Sequence, residues 1–159
     1  MGSGASKRAE EEAEARRRAE ERRRAEEEQR RLMQAYRVAT LKGHIDSVLA
    51  VASYTTQAGA VRVVSGSRDD TIKIWNPDTQ RLLATLEGHT EDVNAVACYT
   101  TQAGAVRVVS GSSDNTIKIW DPDTQRLLAT LQGHTDYVNA VASYTTQAGA
   151  VRAVSGSDD

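Results

Sequence analysis

The chain repeats itself, and no other feature of the sequence restricts its fold as much. Gly43-His44 returns as Gly88-His89 and again as Gly133-His134, a period of 45 residues. The stretch YTTQAGAVR occurs three times, beginning at Tyr54, Tyr99 and Tyr144. Val-Ser-Gly-Ser closes at Ser67, Ser112 and Ser157, and TIKIW closes at Trp75 and Trp120. The first two units agree at roughly four positions in five. A short unit of this kind cannot bury an apolar face alone, so it must stack on its neighbours. Copies this similar fit recent duplication and deliberate design equally well.

Each unit predicts four short strands. VLAVASY, from Val48, is apolar on both faces, as a strand between two sheets should be. AVRVVSGS, from Ala60, follows a glycine-containing turn. TIKIW, from Thr71, alternates in polarity and is rich in β-formers. RLLATL, from Arg81, follows a turn at Pro77-Asp78. Four antiparallel strands in ~45 residues match one blade of a β-propeller. RVATL, Arg37 to Leu41, reads as the last strand of a preceding blade, and the third unit reaches Asp159 without a third TIKIW. The expectation is therefore a mainly β fold of about eleven strands. It is a partial β-propeller of four-stranded antiparallel blades over residues 38–159, with repeats starting near 43, 88 and 133 and the last one incomplete.

The unit GHTEDVNAVACY…VVSGSSDNTIKIWD resembles a WD-repeat. Gly-His stands near its start, Ser-Gly-Ser in the second strand, Asp in the next turn and Trp-Asp at the end of the third strand. The likeness covers about three quarters of the chain. It implies a buried hydrogen-bonded tetrad in each blade. The first would be His44, Ser65, Asp69 and Trp75, and the second His89, Ser110, Asp114 and Trp120. The third offers His134, Ser155 and Asp159. The first unit departs from the pattern at Asn76, outside its tetrad, and little effect is expected.

In such a tetrad a histidine donates to the aspartate through one ring nitrogen and accepts the serine hydroxyl at the other. The serine oxygen accepts from the indole N–H. Ser, His and Asp together also raise the idea of a hydrolytic triad. A catalytic site has no reason to recur every 45 residues with a tryptophan attached, so the structural reading is preferred. Catalytic residues: none are expected, and no cofactor or metal cluster suggests itself.

The few differences between copies are informative. Ile45-Asp46-Ser47 becomes Thr90-Glu91-Asp92 and then Thr135-Asp136-Tyr137. Arg68 becomes Ser113 and then Asp158, and Asp70 becomes Asn115. In the four-strand reading these loops reach one end of the blades, while TTQAGA and PDTQ at the other end stay constant. The candidate partner-binding residues are Ile45, Asp46, Arg68, Glu91, Asp92, Asp136, Tyr137 and Asp158. That set is mostly acidic and suits a basic peptide or protein partner. Neutral drift in exposed loops is the competing explanation.

Residues 1–37 are of another kind. From Ala5 on they contain neither Pro nor Gly, and Glu and Arg blocks alternate. Glu12 can reach Arg16, Glu14 can reach Arg18, and Glu20 can reach Arg24, while Glu26 and Glu27 can reach Arg30 and Arg31. Each such i,i+4 pair adds roughly 0.2–0.5 kcal/mol to a helix. The alanines keep no heptad, so a solvated single helix is expected ahead of a coiled coil. Met1-Gly2-Ser3-Gly4-Ala5-Ser6 fits the N-myristoylation pattern at Gly2, although an inert linker start is the preferred reading.

A net charge of -2 argues against a general nucleic-acid binder. No apolar run reaches the ~20 residues of a membrane span. Membrane association is therefore expected only if Gly2 is acylated. The single cysteine, Cys98, allows no internal disulfide and favours the cytoplasm. Two functions follow as expectations: a non-catalytic WD-repeat scaffold for protein–protein interaction, or a self-assembling propeller piece, homo-oligomeric or a fragment of a longer propeller.

Overall fold

The computed structural model describes residues 3–35, 40–147 and 149–159. The chain separates into two compact units, residues 1–38 and 39–159. Gly2, the candidate lipidation site, lies outside the described residues.

The first unit is one helix, α1 (Ser3–Ala35). Strong helix formers and the absence of an internal proline carry it. Two of the expected ion pairs close, Glu14–Arg18 at 2.6 Å and Glu20–Arg24 at 3.0 Å, both in solvent. Among the described residues, no apolar stripe runs along it.

The second unit contains ten strands among the described residues. β1 (Val48–Thr55), β2 (Val61–Ser67), β3 (Ile72–Asn76) and β4 (Arg81–Leu86) form one antiparallel sheet in chain order. β5 (Val93–Thr100), β6 (Val106–Ser112), β7 (Ile117–Asp121) and β8 (Arg126–Leu131) form the second in the same order. β9 (Val138–Thr145) and β10 (Val151–Ser157) pair as a third, two-stranded sheet. The architecture is a partial β-propeller of antiparallel blades. Of the expected strand at Arg37–Leu41, Thr40 and Leu41 lie in no strand, and residues 37–39 are outside the described residues. A fourth strand forms by hydrogen bonding to the third strand of its own blade, as β4 does to β3. No such partner stands beside Thr40 and Leu41 among the described residues.

The turns explain why certain residues recur. In TTQAGA the Thr56 amide donates to the Ala60 carbonyl at 2.9 Å, and the Thr56 hydroxyl oxygen accepts from the Ala60 amide at 3.1 Å. Gly59 closes this turn with φ 79°, a left-handed conformation that favours glycine. At the start of PDTQ, Asn76 Oδ1 accepts from the Asp78 and Thr79 amides at 3.0 and 3.2 Å. Asp121 Oδ1 does the same for Asp123 and Thr124 at the same distances. Asn76 thus performs the turn-capping role of the Asp it replaces.

The core lies between the sheets. Val64, Ile72, Ile74 and Leu86 of the first blade meet Val93, Val96, Val108 and Trp120 of the second. Val109, Ile117 and Val138 continue the core toward the third. The stacking is tight where β5 crosses β2, because a Cβ added to Gly66 would lie 2.7 Å from Val93 Cγ1. Gly111 meets Val138 in the same way at 2.6 Å.

Burial does not follow the repeat. VLAVASY of the first unit reads from its composition as a strand between two sheets, yet β1 has no buried residue while its counterpart β5 buries Val93, Ala95 and Val96. The difference lies in the neighbours: β5 has sheets on both sides and β1 has one.

Candidate functional site

Two constellations of polar residues stand out, one inside the blades and one at their loop end. The inner one is built by four segments of each of the first two blades. Gly43-His44 enters from the loop before β1, Ser65 comes from β2, Asp69 from the β2–β3 turn and Trp75 from β3. His44 Nδ1 lies 2.7 Å from Asp69 Oδ2, and His44 Nε2 lies 2.7 Å from Ser65 Oγ. The indole Nε1–H of Trp75 donates to Ser65 Oγ at 2.8 Å. With that indole bond in place, the serine hydroxyl is set to donate to His44 Nε2, and the Nδ1–H to donate to Asp69. The second blade repeats this with His89, Asp114, Ser110 and Trp120 at 2.7, 2.7 and 2.9 Å.

A fifth member of the network goes beyond the four expected residues. Thr71 donates its hydroxyl to Asp69 Oδ1 at 2.6 Å, and Thr116 donates to Asp114 Oδ1 at 2.6 Å. The signal was present in the sequence, as the threonine that opens both copies of TIKIW.

Burial works against the charge of Asp69. Hydrogen bonds from Thr71, from His44 and from the Ile45 and Thr71 amides outweigh it and hold the carboxyl well below the usual carboxylate range. Asp114 is lowered by the same balance, with Thr116 and His89 as donors. His89 is held below the ordinary histidine value, first by burial, against the opposing pull of Asp114.

Chemically, Ser, His and Asp here have the spacing of a hydrolytic triad. The serine is sealed, however. Ser110 is fully buried, and its oxygen already accepts from the Trp120 indole. The third blade is more open. His134 sits 2.8 Å from Ser155 Oγ and 2.9 Å from Asp159 Oδ1, with Asp159 exposed. No cluster of His, Cys, Asp and Glu capable of holding a metal ion occurs among the described residues.

The second constellation lies at the loop end. Arg68, Asp70, Thr90, Glu91, Asp92, Ser113 and Tyr137 line an open depression of about 490 Å³. Three blades contribute to it. Backbone bonds tie the two loops of one blade together, Arg68 N–H to the Ser47 carbonyl at 3.0 Å and Ser113 N–H to the Asp92 carbonyl at 2.9 Å. An ion pair then joins neighbouring blades, with Arg68 Nε 3.4 Å from Asp92 Oδ2. Asp70 and Glu91 are left as further negative charge on the rim.

Of the candidate partner-binding residues, Arg68, Glu91, Asp92 and Tyr137 meet in this depression. Ile45 and Asp46 lie beside it in the first loop of blade one, where Ile45 is 92% exposed and Asp46 Oδ1 accepts the Ser47 amide. Asp136 holds the Tyr137 amide in the equivalent loop of blade three, and Asp158 follows β10. These four do not line the depression. Asp70, Thr90 and Ser113 line it without having been singled out, although all three sit at positions where the copies differ.

The constant turns at the opposite end do other work. Gln57 Nε2 of blade one donates to the Gly104 carbonyl of blade two at 3.0 Å. Tyr54, beside this contact, has its hydroxyl pushed up to about 12, by burial first and then by the charge of Asp123.

Comparison with known proteins agrees with this architecture. The family model described as "WD domain, G-beta repeat" matches residues 35–76, 80–121 and 125–159. No curated protein sequence matches the chain. The solved structure of U3-55K is similar, with TM-score 0.54 and 30% identity over 66% of this chain. The chain spans 30% of the length of that protein. Three matched segments, repeated blade geometry and a shared fold lead to one conclusion: the chain belongs to the WD40, G-beta repeat family.

Proposed function

We propose that the chain is a protein-interaction scaffold whose loop face holds a basic peptide segment carrying an apolar side chain. WD40 domains generally bind protein partners, and the family is generally non-enzymatic. The observation that carries the finer reading is the meeting of variable residues from three blades in one depression. Constancy at the blade-joining turns and variation at the loop end divide structural from recognition roles. Asp70 and Glu91 attract a lysine or arginine, and the half-exposed Tyr137 ring offers an apolar surface with a polar tip. Charges on such a rim act mainly on association rate and specificity, so binding weakens as salt rises.

The test is binding of an Arg/Lys-rich peptide library to the purified chain, read by fluorescence anisotropy at low and high salt. Tyr137→Ala and the pair Asp70→Lys with Glu91→Lys should each weaken the best binder by roughly tenfold or more, a loss of about 1.4 kcal/mol. Equal affinity for acidic and basic peptides, or variants that bind as the parent does, would sink the reading. A fluorophosphonate probe should leave Ser65 and Ser110 unlabelled, since the indole and the core shield them.

A further inference from the structure

The contact between blades is nearly the same wherever it occurs, and the chain presents both halves of it to solvent. Each internal contact is made by the first two strands of one blade and the first strand of the next: β1 and β2 with β5, then β5 and β6 with β9. The inserting residue is a valine, Val93 against Gly66 and Val138 against Gly111. Polar contacts flank it. Asn94 Nδ2 donates to the Val138 carbonyl at 3.3 Å, Ser143 Oγ to the Cys98 carbonyl at 3.2 Å, and Gln57 Nε2 to the Gly104 carbonyl at 3.0 Å.

The first blade carries the inserting half as an exposed face. Val48 occupies the position of Val93 and Val138 in the repeat; it is 49% exposed where they are fully buried. Val51 is 70% exposed where its counterpart Val96 is 8%. The third blade carries the receiving half. Val154 is 53% exposed where Val64 and Val109 are fully buried, and a Cβ added to Gly156 would meet only Ala140 Cβ, at 3.7 Å. Both strands that receive a neighbour, β9 and β10, are in place.

We propose that a second copy of this chain docks head to tail, the β1 face of one copy covering the β9–β10 face of another. Val48 of the incoming copy then seats against Gly156 as Val93 seats against Gly66. Asn139 is placed to donate to its Val48 carbonyl, Gln147 to its Gly59 carbonyl, and Ser53 of the incoming copy to the Ser143 carbonyl. Each of these repeats a bond already formed inside the chain. A contact of this kind is heterologous, so copies add in one direction until they close a ring or grow as an open array. It is independent of what the loop face binds.

The experiment is light scattering coupled to size exclusion on the full chain across a wide concentration range, with Val51→Lys and Gly156→Leu. Val51 is mostly exposed and Gly156 has open space around it, so both variants should keep the β-sheet circular dichroism of the parent. The parent is expected to run above the mass of one chain, and each variant alone at the mass of one chain. Mixing the two variants should restore a species of two chains that grows no further, because each variant retains one working face. A parent that stays a single chain at every concentration overturns the proposal. So do variants that assemble like the parent, which would place assembly on another surface such as α1, and so does a variant mixture that stays monomeric.

Discussion

At the scale of single residues, the buried network makes one serine per blade the hub. Ser110 receives the Trp120 indole and serves His89 at once. Ser110→Ala removes both bonds and leaves two buried polar groups without partners, each costing ~1–3 kcal/mol. Ser155→Ala in the open third blade should cost less than half as much, since water replaces the lost bond there. Urea unfolding of the two variants checks the contrast; equal losses would mean that the network adds nothing through burial. The same residues set a pH response. The fold keeps His89 below its ordinary value of 6.5, so below that pH the unfolded chain binds a proton that the folded chain refuses. Stability is therefore complete above 6.5 and declines as pH falls. A second decline begins below the carboxylate value of 3.8, where Asp69 and Asp114 stay ionised in the fold while their unfolded counterparts protonate. The thermal midpoint should fall between about pH 7.5 and about pH 5, and His89→Gln should flatten that interval. A His89→Gln profile parallel to the parent's would reject this assignment.

At the scale of elements, the strand pattern was legible because each strand type recurs with its turn. TIKIW, the Pro77-Asp78 turn and the glycine of TTQAGA fix β3, the β3–β4 connection and the β1–β2 turn without help from the rest of the molecule. The His-Ser-Asp-Trp set was legible as a spaced motif, whereas its threonine escaped notice because hydroxyl residues are common at strand starts. Burial was not legible from the repeat. VLAVASY and VNAVACY differ little in composition, but one is covered on both faces and the other on one. The ion pair of Arg68 with Asp92 was hidden too, since it depends on how one blade is rotated over the next. The blade-to-blade step rests on small residues, which leads to a further expectation. Gly111→Val should destabilise the chain by about 1–3 kcal/mol through overpacking against Val138 and Val141. Gly156→Val, with only Ala140 nearby, should cost much less, and denaturant melts compare them directly.

At the scale of the whole repeat unit, stability is a sum of blade terms and nearest-neighbour contacts. The middle blade has two neighbours and the others have one, so protection should be uneven. Hydrogen exchange at low protein concentration should find the amides of β5, β6 and β7 the slowest, and those of β1 and β9 among the fastest of the strands. Uniform exchange across the three sheets would contradict a nearest-neighbour account. Cys98 offers an independent view of the same step. It takes the place of Ser53 and Ser143, and its side chain packs into the core between the first and second blades, beside Ala50, Ala52 and Tyr54, while its backbone carbonyl accepts the Ser143 hydroxyl of the third. Burial pushes its thiol up to about 12, so almost no thiolate is present at neutral pH to react with an alkylating reagent. When the first and second blades part, that suppression is lifted. The single sulfur then works as a clock, and its alkylation rate in native buffer counts how often this one seam opens.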